Sequence, residues 1–240
     1  MAQITVEEFR NFFKYYRGEE HQQNAIEILY DELKKKTKES DSLWIETYRN
    51  KPDENKNDNN IVLDVEYQSQ LDNASGYGGR ECFSSSCAMV AMYYGKVKND
   101  DHYNIVRSKY GDTTDAQAQV HALRELGLEA NFITNATTND LKHQMKIGRP
   151  TPCGWLHVGN VNDPRGGGHY SVCVGMSDED EQWIHHDPNG EADLVFGGYL
   201  NHTDGAYVKY SYKNWNPRWC VEGEGSGWMM DIWDAGLGKH

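Results

Sequence analysis

The sequence has no cysteine signature of a stapled or metal-bound chain. Its five cysteines are odd in number, irregularly spaced and free of any Cys-x-x-Cys pair, so neither a disulfide framework nor a zinc site is favoured. Long hydrophobic runs are also missing. The longest, Ala88 to Tyr94, is far too short to span a bilayer, and the opening Met1 to Glu8 has no cationic stretch leading into an apolar one. The chain is therefore expected to be made in a cytosol without an export signal of its own. Positive charge is scarce: 24 Lys and Arg stand against 37 Asp and Glu, a net charge of −13. A nucleic-acid partner is not expected, because phosphate binding needs clustered cations. The single basic run, Lys34 to Lys38, falls at the end of an expected helix, where cations complement the dipole. No internal repeat is visible.

What is present is a helix-rich first part and a strand-rich second part. A polar, aperiodic segment from Asn50 to Asn60 reads as a linker and divides the chain into a helical module over 1–60 and a larger domain over 61–240. Amphipathic spacing predicts helices at Val6–Tyr16, His21–Lys36 and Ser42–Tyr48 before the linker. After it the pattern predicts a strand at Ile61–Tyr67, a helix running from Cys82 to Gly95, and helices at Asp101–Tyr110 and Asp115–Leu126. A strand at Leu128–Thr134, a helix at Asn139–Ile147 and an extended Pro150–Val158 follow. From Tyr199 onwards short strands and turns are expected, with Trp215, Trp219 and Trp228 spaced through them. Helices first, strands later and few β–α–β alternations favour an α+β fold. The seven Trp and 15 Tyr are read as core, since rings supply much of the apolar area a polar chain has to bury.

The stretch from Gln70 to Gly95 places a cysteine where a glycine-containing loop becomes a helix. The first N–H groups of a helix are unpaired and its dipole is positive there, so a thiolate at Cys82 is stabilised. Cys87 lies more than a turn further in and reads as a core residue. Downstream, Gly166 to Gly168 run into His169, and a second β-like run, Gln182 to His186, ends at Asp187. A hairpin folded about Asp178 would set His169 directly across from Asp187 on one sheet face, within reach of a hydrogen bond. Nucleophile, base and orienting carboxylate then occur in that order. Two metal readings are weaker. His185 and His186 are adjacent on a strand and point to opposite faces. The alternation Asp187, Asn189, Glu191, Asp193 lacks the glycine step and closing glutamate of a calcium loop. No metal and no cofactor is expected.

These motifs together resemble the papain-like cysteine peptidases, and most closely their bacteriocin-processing-like branch. The resemblance rests on Gln70, on Cys82 with Ala88, Met89, Val90, Tyr94 and Gly95, on Gly168-His169-Tyr170, and on Asp187-Pro188, and it spans about Val62 to Asn189. It implies a papain-like fold with Cys82 as nucleophile, His169 as base, Asp187 as orienter and Gln70 as oxyanion-hole donor. One departure is Phe83, where the family commonly has glycine after the nucleophile; another is the long interval from Gln70 to Cys82. A free-standing chain of this kind is similar to phage-encoded members that cut the peptides of bacterial cell walls and reach them through a holin or the virion. The expectation is thus a peptidoglycan endopeptidase or amidase acting on a cell-wall peptide, with oligomeric state open. Two alternatives stand beside it: a transglutaminase-like acyl transferase using the same three residues, and a non-catalytic papain-like virion or wall-binding protein.

Overall fold

The computed structural model describes residues 60–236; the expected helices before the linker and the division at residue 60 lie outside or at the edge of that range. Within it one sheet is built from β1 (Asn60–Val62), β2 (Glu129–Ala136), β3 (Thr151–Trp155), β4 (His169–Ser177), β5 (Gln182–His186), β8 (Val208–Ser211) and β9 (Gly227–Trp233), while β6 (Glu191–Ala192) and β7 (Tyr199–Asn201) pair separately. Five helices accompany it: α1 (Cys82–Tyr93), α2 (Asp100–Arg107), α3 (Ala116–Glu125), α4 (Thr138–Lys146) and α5 (Tyr212–Trp219). The strand order is β2-β9-β3-β4-β5-β8, every pairing is antiparallel, and β1 joins the stretch of β4 that β3 leaves uncovered. The expected α+β class is the one observed.

Two apolar clusters cover the two sheet faces. On one, Val172, Val174, Met230 and Ile232 pack with Phe83, Met89 and Val90 of α1 and with Tyr103, Val120 and Leu123 of α2 and α3. On the other, Cys153, Trp155, Cys173 and Trp183 pack with Leu141 and Met145 of α4 and Trp215 and Trp219 of α5. Alternation along a strand sends successive side chains to opposite faces, so β4 serves both clusters at once.

The helix starts follow their capping chemistry. Asn99 accepts from the His102 N–H before α2, Asp115 from the Gln117 N–H before α3, and Thr137 with Asp140 forms a reciprocal capping box before α4, each satisfying amide groups that a helix leaves unpaired. Two expectations need correction. The strand expected over Ile61–Tyr67 stops at Val62: the Leu63 N–H still reaches the Val174 carbonyl at 2.7 Å, but the Leu63 carbonyl turns back to the Val65 N–H at 3.0 Å, and the Val65 carbonyl is bonded by His186 Nε2 and the Tyr207 hydroxyl at 2.7 and 3.3 Å. The region after Tyr199 also contains a helix, α5, that the turn-like Asn214-Trp215-Asn216-Pro217 obscures. Its legible signal is Trp215 and Trp219, four apart and therefore on one helical face, both fully buried.

The hairpin β4–β5 has a different register from the one expected. At its closed end Ser177 pairs with Gln182 and Met176 with Trp183; past an irregularity between Cys173 and Gly175 the partners become Cys173 with His185 and Val172 with His186. Continued one step, Asp187 stands across from Ser171, diagonal to His169, while the direct partner of His169 is Trp155 on β3. The bulge at Val174 decides the outcome. Without it Asp187 would oppose Val172 and point to the other face from His169; the extra residue restores the parity that brings the two side chains together.

Candidate active site

Cys82 is the first residue of α1 and is partly exposed, whereas Cys87 is completely buried. Burial pushes the Cys87 thiol far up, which fits a core cysteine. The loop before α1 folds back through two single 3-10 turns, Gln70–Asp72 and Gly78–Arg80. It is held by the buried Glu81 carboxylate, which accepts from Asn73 Nδ2 at 2.7 Å and the Ser75 hydroxyl at 2.8 Å, with Arg107 at 3.9 Å. Nothing in the sequence pattern pointed to Glu81, because a glutamate before a helix is ordinarily a solvated first-turn residue.

His169 opens β4 and is 4% exposed. Its Nε2 lies 2.7 Å from Asp187 Oδ1, and Cys82 is near enough to act on the same imidazole through its charge. Burial alone would pull the imidazole down. The Asp187 carboxylate and Cys82, through charge and hydrogen bonds, outweigh it and raise the pKa from 6.5 to about 10, so the ring holds its proton across the neutral range. The T-shaped ring of Trp155, at 5.4 Å, covers one side of this imidazole.

Asp187 is fully buried and its carboxylate is saturated with donors. Besides His169, Oδ1 accepts from the Asn189 backbone N–H at 3.0 Å and from the Tyr199 hydroxyl at 3.5 Å, and Oδ2 accepts from the Tyr210 hydroxyl at 2.9 Å. The Tyr210 oxygen in turn accepts from the Ala192 N–H at 3.2 Å. Burial first, and then the charge on Asp187, drive both phenols far above their ordinary range, so they stay protonated donors. These tyrosines come from the region read only as short strands and turns, and no spacing in the sequence ties them to Asp187.

Gln70 is buried. Its backbone N–H donates to the Pro188 carbonyl at 2.9 Å and its Nε2 to the Gly78 carbonyl at 2.8 Å, which ties the loop before Cys82 to the residue after Asp187. A Cβ at Gly78 would sit 2.1 Å from the Gln70 carbonyl oxygen, so this close approach requires glycine. A primary amide carries two N–H donors, and one bond to Gly78 leaves Gln70 a second.

Three further histidines surround the site in neutral form. His157 packs 5.6 Å from His169, centroid to centroid, and burial followed by the charge of His169 lowers its pKa to about 4. His185 bonds the Ser171 hydroxyl through Nδ1 at 2.9 Å and is lowered to about 3, mainly by burial. His186 points the opposite way to the Val65 carbonyl. His185 and His186 therefore face apart, as alternation requires, each with its own partner. Among the described residues no group of three or more His, Cys, Asp or Glu converges on a common point.

The arrangement unites a partly exposed sulfur at a helix start, an imidazole whose pKa is raised and a buried carboxyl group. A family model described as papain-like cysteine protease AvrRpt2 matches residues 59–195, more than half of the chain. Among solved structures, a C39-like peptidase from Bacillus anthracis is 16% identical, with 71% of this chain and 96% of that chain covered and a TM-score of 0.50. A double glycine motif protease from an AMS/PCAT transporter, in complex with the leader peptide, is 18% identical with 72% and 93% covered and a TM-score of 0.44. The peptidase domain of Streptococcus ComA, a bi-functional ABC transporter, is also 18% identical, with 72% and 96% covered and a TM-score of 0.42. The Bacillus anthracis likeness bears on the fold alone. No curated protein sequence matches with significance. The resemblance to papain-like cysteine peptidases therefore holds, with the AvrRpt2 family rather than the bacteriocin-processing branch supplying the family match.

Proposed function

We propose that this chain, which belongs to the AvrRpt2 family of papain-like cysteine proteases, hydrolyses peptide bonds through Cys82, His169 and Asp187. The observation that carries this is the 2.7 Å contact from His169 Nε2 to Asp187 Oδ1, with Cys82 near enough to the same imidazole to help raise its pKa. The Cys82 thiolate attacks the carbonyl carbon and the electron pair moves to oxygen. As the tetrahedral adduct collapses the C–N bond breaks, and the departing amine takes the proton of the His169 imidazolium. Water then adds to the Cys82 thioester while His169 accepts a proton from it, releasing a carboxylic acid and the sulfur. Asp187 keeps the ring oriented and stabilises its charge in both halves. The Cys82 backbone N–H and the second amide donor of Gln70 serve the oxyanion, a contribution of about 3 kcal/mol per donor in comparable sites.

For the substrate we carry forward the peptide of a bacterial cell wall, cut by a lysin of phage type after delivery by holin or virion. Its support is the sequence resemblance to phage-encoded members and the glycine run Gly166–Gly168, which lets a slender peptide backbone approach His169. Purified sacculi and an unfolded polypeptide, incubated with the protein and analysed by mass spectrometry, test this reading. Soluble wall fragments with new amino termini are the expected result, and cleavage of the polypeptide with intact sacculi would replace the wall by a protein substrate. Ammonia release dependent on an added primary amine would instead mark acyl transfer. Activity is also expected to persist in a chelator and to rise with a reductant, since the working group is the sulfur of a free cysteine. Loss in chelator reversed by zinc or calcium would contradict it.

A further inference from the structure

Phe83 and Tyr170, the residues that follow Cys82 and His169, touch each other. Their rings stack face to face with centroids 3.7 Å apart and planes inclined by 3°. Alternation explains the geometry: His169 turns to the face of Trp155 and Asp187, so Tyr170 must turn to the face on which α1 lies. Phe83, at 2% exposure, is pressed into the stack from behind by Phe132, whose ring lies 6.3 Å away. On its other side the Tyr170 ring lies on β3 at its cross-strand partner Gly154. A Cβ at that position would approach the ring to 2.7 Å, so the absence of a side chain at Gly154 is what lets the tyrosine lie flat.

We propose that Gly154, Tyr170 and Phe83 form a joint that sets the separation of Cys82 and His169, with Phe83 and Tyr170 acting as positioning residues for the sulfur and the imidazole. The proposal rests on the assignment of Cys82 and His169 made above. The nucleophile sits on a helix and the base on a strand, and nothing covalent fixes their distance. Each of the two side chains is one peptide from the stack, so a shift of one ring relative to the other passes directly to the sulfur and the imidazole. This gives Phe83 a role where the resembling branch commonly has glycine. Stacked rings have a defined offset and contact distance, which an aliphatic pair of equal volume does not reproduce.

The test is the pH dependence of iodoacetamide alkylation at Cys82, followed by peptide mapping, with kinetics on whichever peptide substrate the protein cleaves. Phe83→Leu and Tyr170→Leu are expected to remain folded, to lose about tenfold in alkylation rate near pH 6, and to lower kcat by about 10- to 100-fold with KM within about twofold. Gly154→Ala, which alters neither reacting residue nor either ring of the stack, is expected to do the same by displacing the Tyr170 ring. Phe83→Trp and Tyr170→Phe, which keep the stack, are expected to retain the wild-type profile. Leucine variants with the wild-type alkylation profile would overturn the proposal. So would leucine variants that fail to fold beside a Gly154→Ala protein of normal profile, which would assign the rings to the core alone. A wild-type Cys82 that alkylates no faster than in His169→Ala would remove the underlying assignment of the pair, a result distinct from either.

Discussion

Cys82→Ala is expected to lower kcat by at least about 10⁴-fold while leaving folding intact, because members of such a unit fail together and the residual rate comes from binding and the oxyanion donors. The sulfur is partly exposed at the first residue of α1, so its removal opens a small gap near the surface rather than in the core. Cys87→Ala gives the opposite pattern. That side chain is fully buried against α2 and the sheet, and its truncation is expected to cost about 1–2 kcal/mol of stability through a small cavity, with most activity kept. Circular dichroism melts and turnover on the same preparations separate the two. A dead Cys87→Ala beside an active Cys82→Ala would reverse the assignment.

The second large effect concerns His169 and its carboxylate. Removal of the imidazole in His169→Ala is expected to be nearly as damaging as loss of Cys82, whereas Asp187→Asn keeps a hydrogen-bond acceptor and is expected to lose about 10- to 10³-fold, less than either. The pH profile carries the sharper information. With the imidazole raised to about 10, the alkaline limb of activity is expected near that pH, where the proton for the leaving amine is lost. In Asp187→Asn the negative charge that opposes burial is gone, so the limb moves down towards neutrality. Stability follows the same titration. A group whose folded pKa lies above its unfolded 6.5 contributes fully below 6.5, and that contribution is lost as pH rises through about 10. Wild-type Tm is therefore expected to fall relative to His169→Ala between pH 6.5 and 10. A constant difference, or an alkaline limb unmoved in Asp187→Asn, would contradict the pairing.

How much of this was legible before the structure depends on how local the signal is. Cys82 at a helix start, Cys87 in the core and the capped starts of α3 and α4 follow from spacing and capping chemistry, which act within a few residues. The β-strand identity of His169–Ser177 and Gln182–His186 was equally local. Their register was not. The fold about Asp178 implied direct opposition, and a single bulged residue at Val174 decided instead that Asp187 reaches His169 diagonally. Such a bulge has no turn residue to announce it, since valine is an ordinary strand residue. The donors that saturate Asp187, Tyr199 and Tyr210, arrive from strands distant in sequence, and Glu81 works through Asn73 and Ser75 across a loop. Those contacts run across a loop or between separate strands, and a period of two or of 3.6 does not encode them.

The central claim is that one sulfur of five is activated, and by one histidine. Intact-protein mass spectrometry after brief exposure to limiting iodoacetamide near pH 6, with the adduct located by peptide mapping, addresses it most directly. Four of the thiols are buried and Cys82 alone is partly exposed beside His169, so the account predicts a single adduct on Cys82 in the wild type and a much slower one in His169→Ala. An adduct on another cysteine, or labelling of Cys82 at the same rate in both proteins, would contradict it.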